Sequence, residues 1–383
     1  MRPLLFVLLL LASSAALAAD DAHIAFGDVP RTFSHYLNAR EAALCRADVA
    51  TGGLSAYFTN PGAASMVSGA SGEATLRFNS TSRDYLPDGA ASLDASDDGL
   101  LFSQAVAAKQ NGSVVFGFGY SCPSYQSLKL TGQQDVGDPP TLEAYNAEFS
   151  SGLRYFEVIM ATRIGTSGRG GIGVAAGIAN MNQRTSERVP GVYLDTAELD
   201  GTAASLAAGF VYDAMTTLTF GLGYRWGATV GVSGEWYKHD REGESKSAPV
   251  AVAGLTYRPT AQTAVHASYT REGWDSAELT LAAQDTLPAF KRNEFGKGIT
   301  TAAIGVEQGL PGGKVVARVG ASKQFESGIT NAIVPEYAIG LGAVVRFSQY
   351  SSEIAVVRES FAEGGESGQV TSYGVYLTIS YEF

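Results

Sequence analysis

Tyr373-Gly-Val-Tyr-Leu-Thr-Ile-Ser-Tyr-Glu-Phe383 is the stretch that decides the fold. Tyr373, Val375, Leu377, Ile379, Tyr381 and Phe383 share one parity, and Gly374, Tyr376, Thr378, Ser380 and Glu382 share the other. Successive side chains of a strand point to opposite faces, so these residues predict a strand with one oily face and one mostly polar face.

The same alternation recurs upstream. Val114, Phe116, Phe118 and Tyr120 oppose Val115, Gly117, Gly119 and Ser121. Leu218, Phe220, Leu222, Tyr224 and Trp226 oppose Thr219, Gly221, Gly223 and Arg225. Val315, Ala317, Val319 and Ala321 oppose Val316, Arg318, Gly320 and Ser322. One such segment is weak evidence; their recurrence from about residue 71 onward predicts a large all-β sheet.

The connectors carry a second signal. Short turns are expected near 109–113, 165–170, 213–216, 258–262, 308–313 and 347–350, several holding turn formers such as Asn111-Gly112 and Pro311-Gly312-Gly313. Longer connectors are expected near 81–98, 122–150, 183–201, 228–247, 272–298, 324–335 and 361–370. Strict alternation of short and long connectors is the arrangement of transmembrane barrels, and it implies about 14 strands of roughly ten residues each. Tyr120, Tyr212, Tyr257, Tyr269, Phe347, Tyr350 and Tyr381 fall at strand ends, where interfacial girdles belong. A soluble β-sandwich or β-helix would also alternate, but neither needs this loop asymmetry.

The start of the chain fits an export signal over 1–18. Arg2 supplies charge, Leu4 to Leu11 an apolar core, and Ala16-Leu17-Ala18 a small-residue cleavage site. No later stretch is apolar over about 20 residues, so helical membrane spans are not expected. The net charge of −11 argues against a nucleic-acid partner. Cys45 and Cys122 are too few and too far apart for a metal cluster or a redox pair, and their pairing is left open. His23, His35, His239 and His266 are scattered without metal-ligand spacing, so no cofactor or metal is expected. Gly168-Arg-Gly-Gly-Ile-Gly173 lacks the ending of a phosphate-binding loop and falls in a predicted turn.

Residues 19–70 do not alternate. They hold Leu37-Asn-Ala-Arg-Glu-Ala-Ala-Leu44, a short helical possibility, and Ser55-Ala-Tyr-Phe-Thr-Asn-Pro-Gly-Ala63. A barrel of about 14 strands is too wide for its own side chains to fill. Residues 19–70 are therefore expected to plug the lumen, with 71–383 forming the transmembrane barrel.

Ala39-Arg40 and the element around Asn60-Pro61 resemble the N-terminal hatch of the FadL/TodX family of hydrophobic-compound transporters. Leu255-Thr-Tyr-Arg-Pro259, leading into a strand, is similar to that family's turn pattern. Gly62, interposed after Asn60-Pro61, departs from the family's Asn-Pro-Ala element. The aromatic-ended terminal strand also resembles those read by barrel-insertion machinery. The resemblance implies a bacterial outer-membrane location and diffusive uptake of a hydrophobic small molecule or fatty acid. Capture at external loops and lateral exit through the wall into outer-membrane lipid are implied with it. Two alternatives stand beside it: a docking barrel for a secretion system or surface protein, and an outer-membrane lipase. The lipase rests on His266-Ala-Ser268, which offers an imidazole and a hydroxyl but no recognisable orienting group. No catalytic residue is expected.

Candidate ligand residues follow from parity and position. Arg225 and Arg318 have lumen parity and suit a carboxylate. Such arginines also commonly pair with inward acids such as Glu157 or with the plug. Tyr125, Leu128 and Phe290 are candidate apolar walls from the loops, and Asn60 and Pro61 mark the plug.

Overall fold

A computed structural model describes residues 36–382, apart from 52–53, 86–92, 137–140, 166–167, 190–192, 237–238, 284–288, 293–297, 326–333 and 363–368. The proposed signal at 1–18 and Phe383 lie outside the described residues. After a short luminal segment the chain is strand: β1 (Ala70–Tyr85), β2 (Leu93–Asn111), β3 (Val114–Val136), β4 (Thr141–Ile164), β5 (Gly170–Val189), β6 (Tyr193–Met215), β7 (Leu218–Arg225), β8 (Thr229–Trp236) and β9 (His239–Lys246). It continues through β10 (Val250–Tyr257), β11 (Thr263–Glu272), β12 (Glu278–Leu281), β13 (Phe290–Arg292), β14 (Ile299–Gly309), β15 (Val315–Phe325), β16 (Val334–Arg346), β17 (Tyr350–Ala362) and β18 (Gln369–Glu382).

All pairings are antiparallel, and β1 pairs with both β2 and β18, which closes the sheet. The eighteen segments make 14 staves, because β7/β8, β9/β10, β11/β12 and β13/β14 are each one stave split in two. Closure removes the edges that lipid could not satisfy.

The side-chain alternation has the expected sense. Tyr373, Val375, Leu377 and Ile379 are exposed on the outer face, while Ser372, Tyr376 and Thr378 are buried inside. Phe116, Phe118, Phe156, Val158 and Met160 extend the outer apolar face. Tyr212, Tyr257, Phe347 and Tyr350 are exposed beside the short turns, and Tyr224, Trp226, Tyr269, Tyr337 and Tyr373 lie six or more residues further along their strands. Two aromatic belts therefore bound an apolar band, as a bilayer requires.

The long connectors need correction. The stretches expected as loops at 122–150 and 183–201 are mostly strand, in the β3–β4 and β5–β6 hairpins. Residues 93–98 and most of 228–247 are strand as well. β3 and β4 run 23 and 24 residues, not ten. The reason is physical: arms that continue beyond the bilayer have no lipid face to keep apolar, so their period-two signal fades while their backbone ladder persists.

Candidate functional site

The luminal segment is short and irregular, yet firmly set. Asn38 caps the helical turn α1 (Ala39–Ala43), its Oδ1 accepting from the Glu41 amide at 2.8 Å. Glu41 Oε2 reaches back to the Leu37 amide at 2.8 Å, in the manner of a capping box. Cys45 and Arg46 then take positive φ of 50° and 66° and end the turn. Further on, Asn60 caps a 3-10 turn over Pro61–Met66, with Pro61 in its first turn, where its missing amide costs nothing.

Asn60 is fully buried. Its Oδ1 accepts from the Gly62 amide at 3.1 Å, and its Nδ2 donates to the Val49 carbonyl at 3.0 Å and to the Phe210 carbonyl of β6 at 3.2 Å. This side chain ties two parts of the luminal segment to the wall. Gly62 has a steric reason: a Cβ there would lie 2.6 Å from the Gly209 carbonyl carbon and the Phe210 amide nitrogen. The wall is equally bare where it meets this segment. A Cβ on Gly209 would fall 2.1 Å from Asn60 Oδ1, and one on Gly173 2.3 Å from the Pro61 carbonyl oxygen. Gly320 and Gly340 receive Leu44 and Ala42 in the same way. The inward glycines that alternate with outer aromatics are thus the seat of the luminal segment.

Two buried charge clusters fasten it further. Arg225 of β7 is 1 % exposed. Its Nη1 and Nη2 meet Glu157 Oε1 and Oε2 of β4 at 2.6 and 2.9 Å, and Ser205 of β6 donates to the same carboxylate at 2.6 Å. Arg225 also donates through Nε and Nη2 to the Phe58 carbonyl at 3.2 and 3.0 Å, with its guanidinium 3.7 Å from the Phe58 ring centroid. Its donors are thus committed, and a ligand carboxylate would have to displace Glu157. Arg318 Nε meets Glu307 Oε2 at 3.0 Å, and its Nη1 pairs with Glu353. Glu307 also pairs with Arg40 of the luminal segment, which in turn holds Asp48 at 2.9 Å.

His266 belongs to this second cluster. Its Nε2 is 2.8 Å from Glu307 Oε1 and its Nδ1 2.9 Å from Thr256 Oγ1. Ser268 donates to the Arg46 carbonyl at 2.7 Å. Neither group is turned toward the other as base and nucleophile would be.

The interior differs on the two sides of the luminal segment. Toward the long hairpins Tyr57 and Phe58 meet a buried, largely apolar core that includes Leu153, Tyr155, Met181, Leu199, Val230, Trp274 and Leu279, with Gln183 and Arg241 buried at the same end. Toward the short turns lies a cavity of about 660 Å³ whose lining includes Arg40, Glu73, Asp213, Arg258, Arg346 and Glu382.

The wall is interrupted in two places. Among the described residues, β7/β8, β9/β10 and β11/β12 break at matching levels, at 226–228, 247–249 and 273–277. The β2–β3 ladder runs from Asn111↔Val114 to Gln104↔Ser121 and resumes only at Ser96↔Lys129. Each strand bulges at the lower edge of this interruption. β2 does so at Ser103 against β1, and β3 does so at Cys122-Pro123 against β4. Proline cannot donate to a ladder, which suits a bulge.

Of the expected wall residues, Tyr125 is half-buried on β3 just above that bulge, facing the Gly152 backbone of β4. Leu128 pairs with Phe149 and Phe290 with Leu281 in the backbone ladder; their side chains lie outside the described residues. Parity reasoning missed Glu307, the acid that joins Arg40, His266 and Arg318. It also missed the β2–β3 interruption, for which Pro123 inside an alternating stretch was the available signal.

No protein-family profile matches the chain, and no curated protein sequence does. Solved structures do. A FadL homologue of Pseudomonas aeruginosa superposes with a TM-score of 0.69 at 15 % identity, over 92 % of this chain and 99 % of that one. The toluene transporter TodX of Pseudomonas putida gives 0.63 at 13 %, over 92 % and 98 %. The toluene transporter TbuX of Ralstonia pickettii gives 0.59 at 12 %, over 89 % and 98 %.

Proposed function

We propose that this chain, which has the fold of the FadL/TodX hydrophobic-compound channels, sits in a bacterial outer membrane and admits small apolar molecules by diffusion. Molecules enter among the long hairpins, move through the apolar upper interior, and leave sideways through the interruption between β2 and β3. The luminal segment is the plug that denies them, and water-borne solutes, a straight path.

The observation that carries this reading is the polarity step across the plug. A hydrophobe gains by staying in contact with Tyr57, Phe58, Leu153 and Leu199, and loses that gain in the charged lower cavity. A gap in the wall at the level above the plug lets it pass into lipid without meeting the charged groups. Arg225, and Arg318 through the Glu307 that it shares with Arg40, hold the plug to the wall in this scheme. Their carboxylate partners stabilise them, and a carboxylate cargo reaches them only by competing with Glu157, Glu307 or Glu353.

Photolabelling separates sideways from straight-through exit. A neutral alkane bearing a diazirine, irradiated with the full-length protein, is expected to mark Asp97–Ser103 and Cys122–Leu128. Labels confined to the residues around Arg258, Arg346 and Glu382 would sink the lateral route.

A further inference from the structure

The lipid-facing wall carries a groove along β10. Its outward residues Ala251 and Ala253 are small, while larger side chains rise from the strands on either side. The ladder sets these directly opposite the alanines: Ala251 pairs with Tyr224 of β7 and Arg271 of β11, and Ala253 with Leu222 of β7 and Tyr269 of β11. Two ridges therefore flank a low floor. They enclose a space of about 570 Å³ that continues over Ala208 of β6. Leu222, Tyr224 and Tyr269 are 53 %, 39 % and 49 % exposed, so the groove opens to whatever lies outside the barrel.

The upper end of the groove is cationic. Arg271 is exposed, and among the described residues no carboxylate pairs with it. A Cβ on Gly298 would lie 3.6 Å from Arg271 Nη2, so the guanidinium is turned up the wall, away from the bilayer middle. Lys323 of β15 and Arg358 of β17 also face outward. Each of the three stands eight residues from the start of its strand at the short turns: 271 from 263, 323 from 315, and 358 from 350. That is the level of the upper aromatic belt. Neighbours in this row are two strands apart, about 10 Å in the direction of the ladder. Among the described side chains of β14 to β18, no acid faces outward in this belt. In a chain of net charge −11 the row is a local reversal of sign, and it faces the headgroups of one leaflet.

We propose that the groove over β10 seats an acyl chain of a phosphorylated glycolipid of the outer leaflet, with the lipid's phosphate on Arg271. This rests on the outer-membrane placement above and not on the route of transport. The apolar floor and ridges take the chain, since hydrocarbon is their only fitting neighbour. The planar guanidinium offers parallel donors to two phosphate oxygens, which a plain aromatic belt lacks. Lys323 and Arg358 extend the attraction to adjoining headgroups. The seated lipid braces β7, β10 and β11 directly below the breaks at 226–228, 247–249 and 273–277.

The test is native mass spectrometry of the full-length protein in nonionic detergent, titrated with diphosphoryl lipid A and with the same lipid stripped of phosphate. The wild type is expected to bind the phosphorylated form at least about fivefold more tightly, the worth of one basic residue at a headgroup surface. Arg271→Ala should weaken that form about fivefold and leave the stripped form unchanged, while Arg271→Lys keeps most of the preference. Ala251→Trp fills the groove and should weaken both forms. Lys109→Ala, which removes an exposed cation beside a short turn, should change neither. Excess inorganic phosphate should not displace the lipid. Equal affinity of the wild type for both forms, equal losses in Arg271→Ala and Lys109→Ala, an Ala251→Trp that binds like the wild type, or displacement by inorganic phosphate overturns the proposal. Should a variant fail to fold, the wild-type comparison of the two lipids decides the matter. A chain that stays in solution without detergent sinks the membrane placement itself, whereas a detergent-held chain indifferent to phosphate sinks this site alone.

Discussion

Arg225→Met removes the best-satisfied anchor of the luminal segment, the proposed plug, while nearly keeping the side chain's volume. Three groups lose their contact with Arg225 at once: the Glu157 carboxylate, which keeps only Ser205, the Phe58 carbonyl, and the Phe58 ring beneath the guanidinium. Arg225 and Glu157 are both almost fully buried, so the remaining carboxylate has no water to fall back on. Breaking such a pair from one side costs about 3–5 kcal/mol, much of it the stranded charge. Because Phe58 belongs to the luminal segment and Glu157 to the wall, part of that cost falls on the seating of that segment. If all of it did, the population with a displaced plug would rise by about two to three and a half powers of ten. Single-channel recording in planar bilayers reads that population as brief, large openings that the wild type lacks. Glu157→Gln in the Arg225→Met background removes the stranded charge and should return much of the seating. Openings no more frequent in Arg225→Met than in the wild type, or more frequent in the double variant than in the single, would refute the reasoning.

Other outcomes follow from the same geometry. Gly209→Val should unseat the plug as well, because its first side-chain carbon would fall 2.1 Å from Asn60 Oδ1; Gly231→Ala, with open space around it, should stay within about 0.5 kcal/mol of wild-type stability. Burial pushes the Cys45 thiol up to about 12, and only the thiolate reacts, so native protein at pH 8 should take no maleimide at Cys45 or at the buried Cys122. Denatured protein should take two, and native labelling of Cys45 would contradict its placement. Val356→Arg puts a charge on the lipid face and should cost about 2–4 kcal/mol near the bilayer middle, seen as a lower midpoint in urea unfolding from liposomes. Purified protein should hydrolyse p-nitrophenyl laurate no faster than His266→Ala does, since the His266 ring nitrogens are engaged by Thr256 and Glu307.

Much of the fold was legible because a membrane barrel writes its environment into every second residue. Tyr373 to Ile379 and Leu218 to Tyr224 declared their outer faces, and the short turns near 109–113, 258–262 and 308–313 fell where Gly and Pro put them. The hairpin arms above the bilayer were not legible as strand, because without lipid outside them the outer face need not be apolar, and the alternation fades while the hydrogen bonds persist. Asn60-Pro61 was visible as a motif. Its reason, a polar side chain bridging Val49 and Phe210 over bare glycines, exists only once β5, β6 and β7 are assembled around it. The inward arginines were found by parity, but their partners lie 68 and 11 residues away in sequence on other strands, and parity does not choose partners.

The most direct measurement is uptake by intact bacteria whose lipopolysaccharide layer is in place, with the chain present or deleted. Labelled toluene and laurate should enter several-fold faster when the chain is present, while a sugar of similar size enters at the same rate in both. Faster entry of the sugar, with the apolar compounds unchanged, would make the barrel a water-filled pore and contradict the channel for hydrophobes described above.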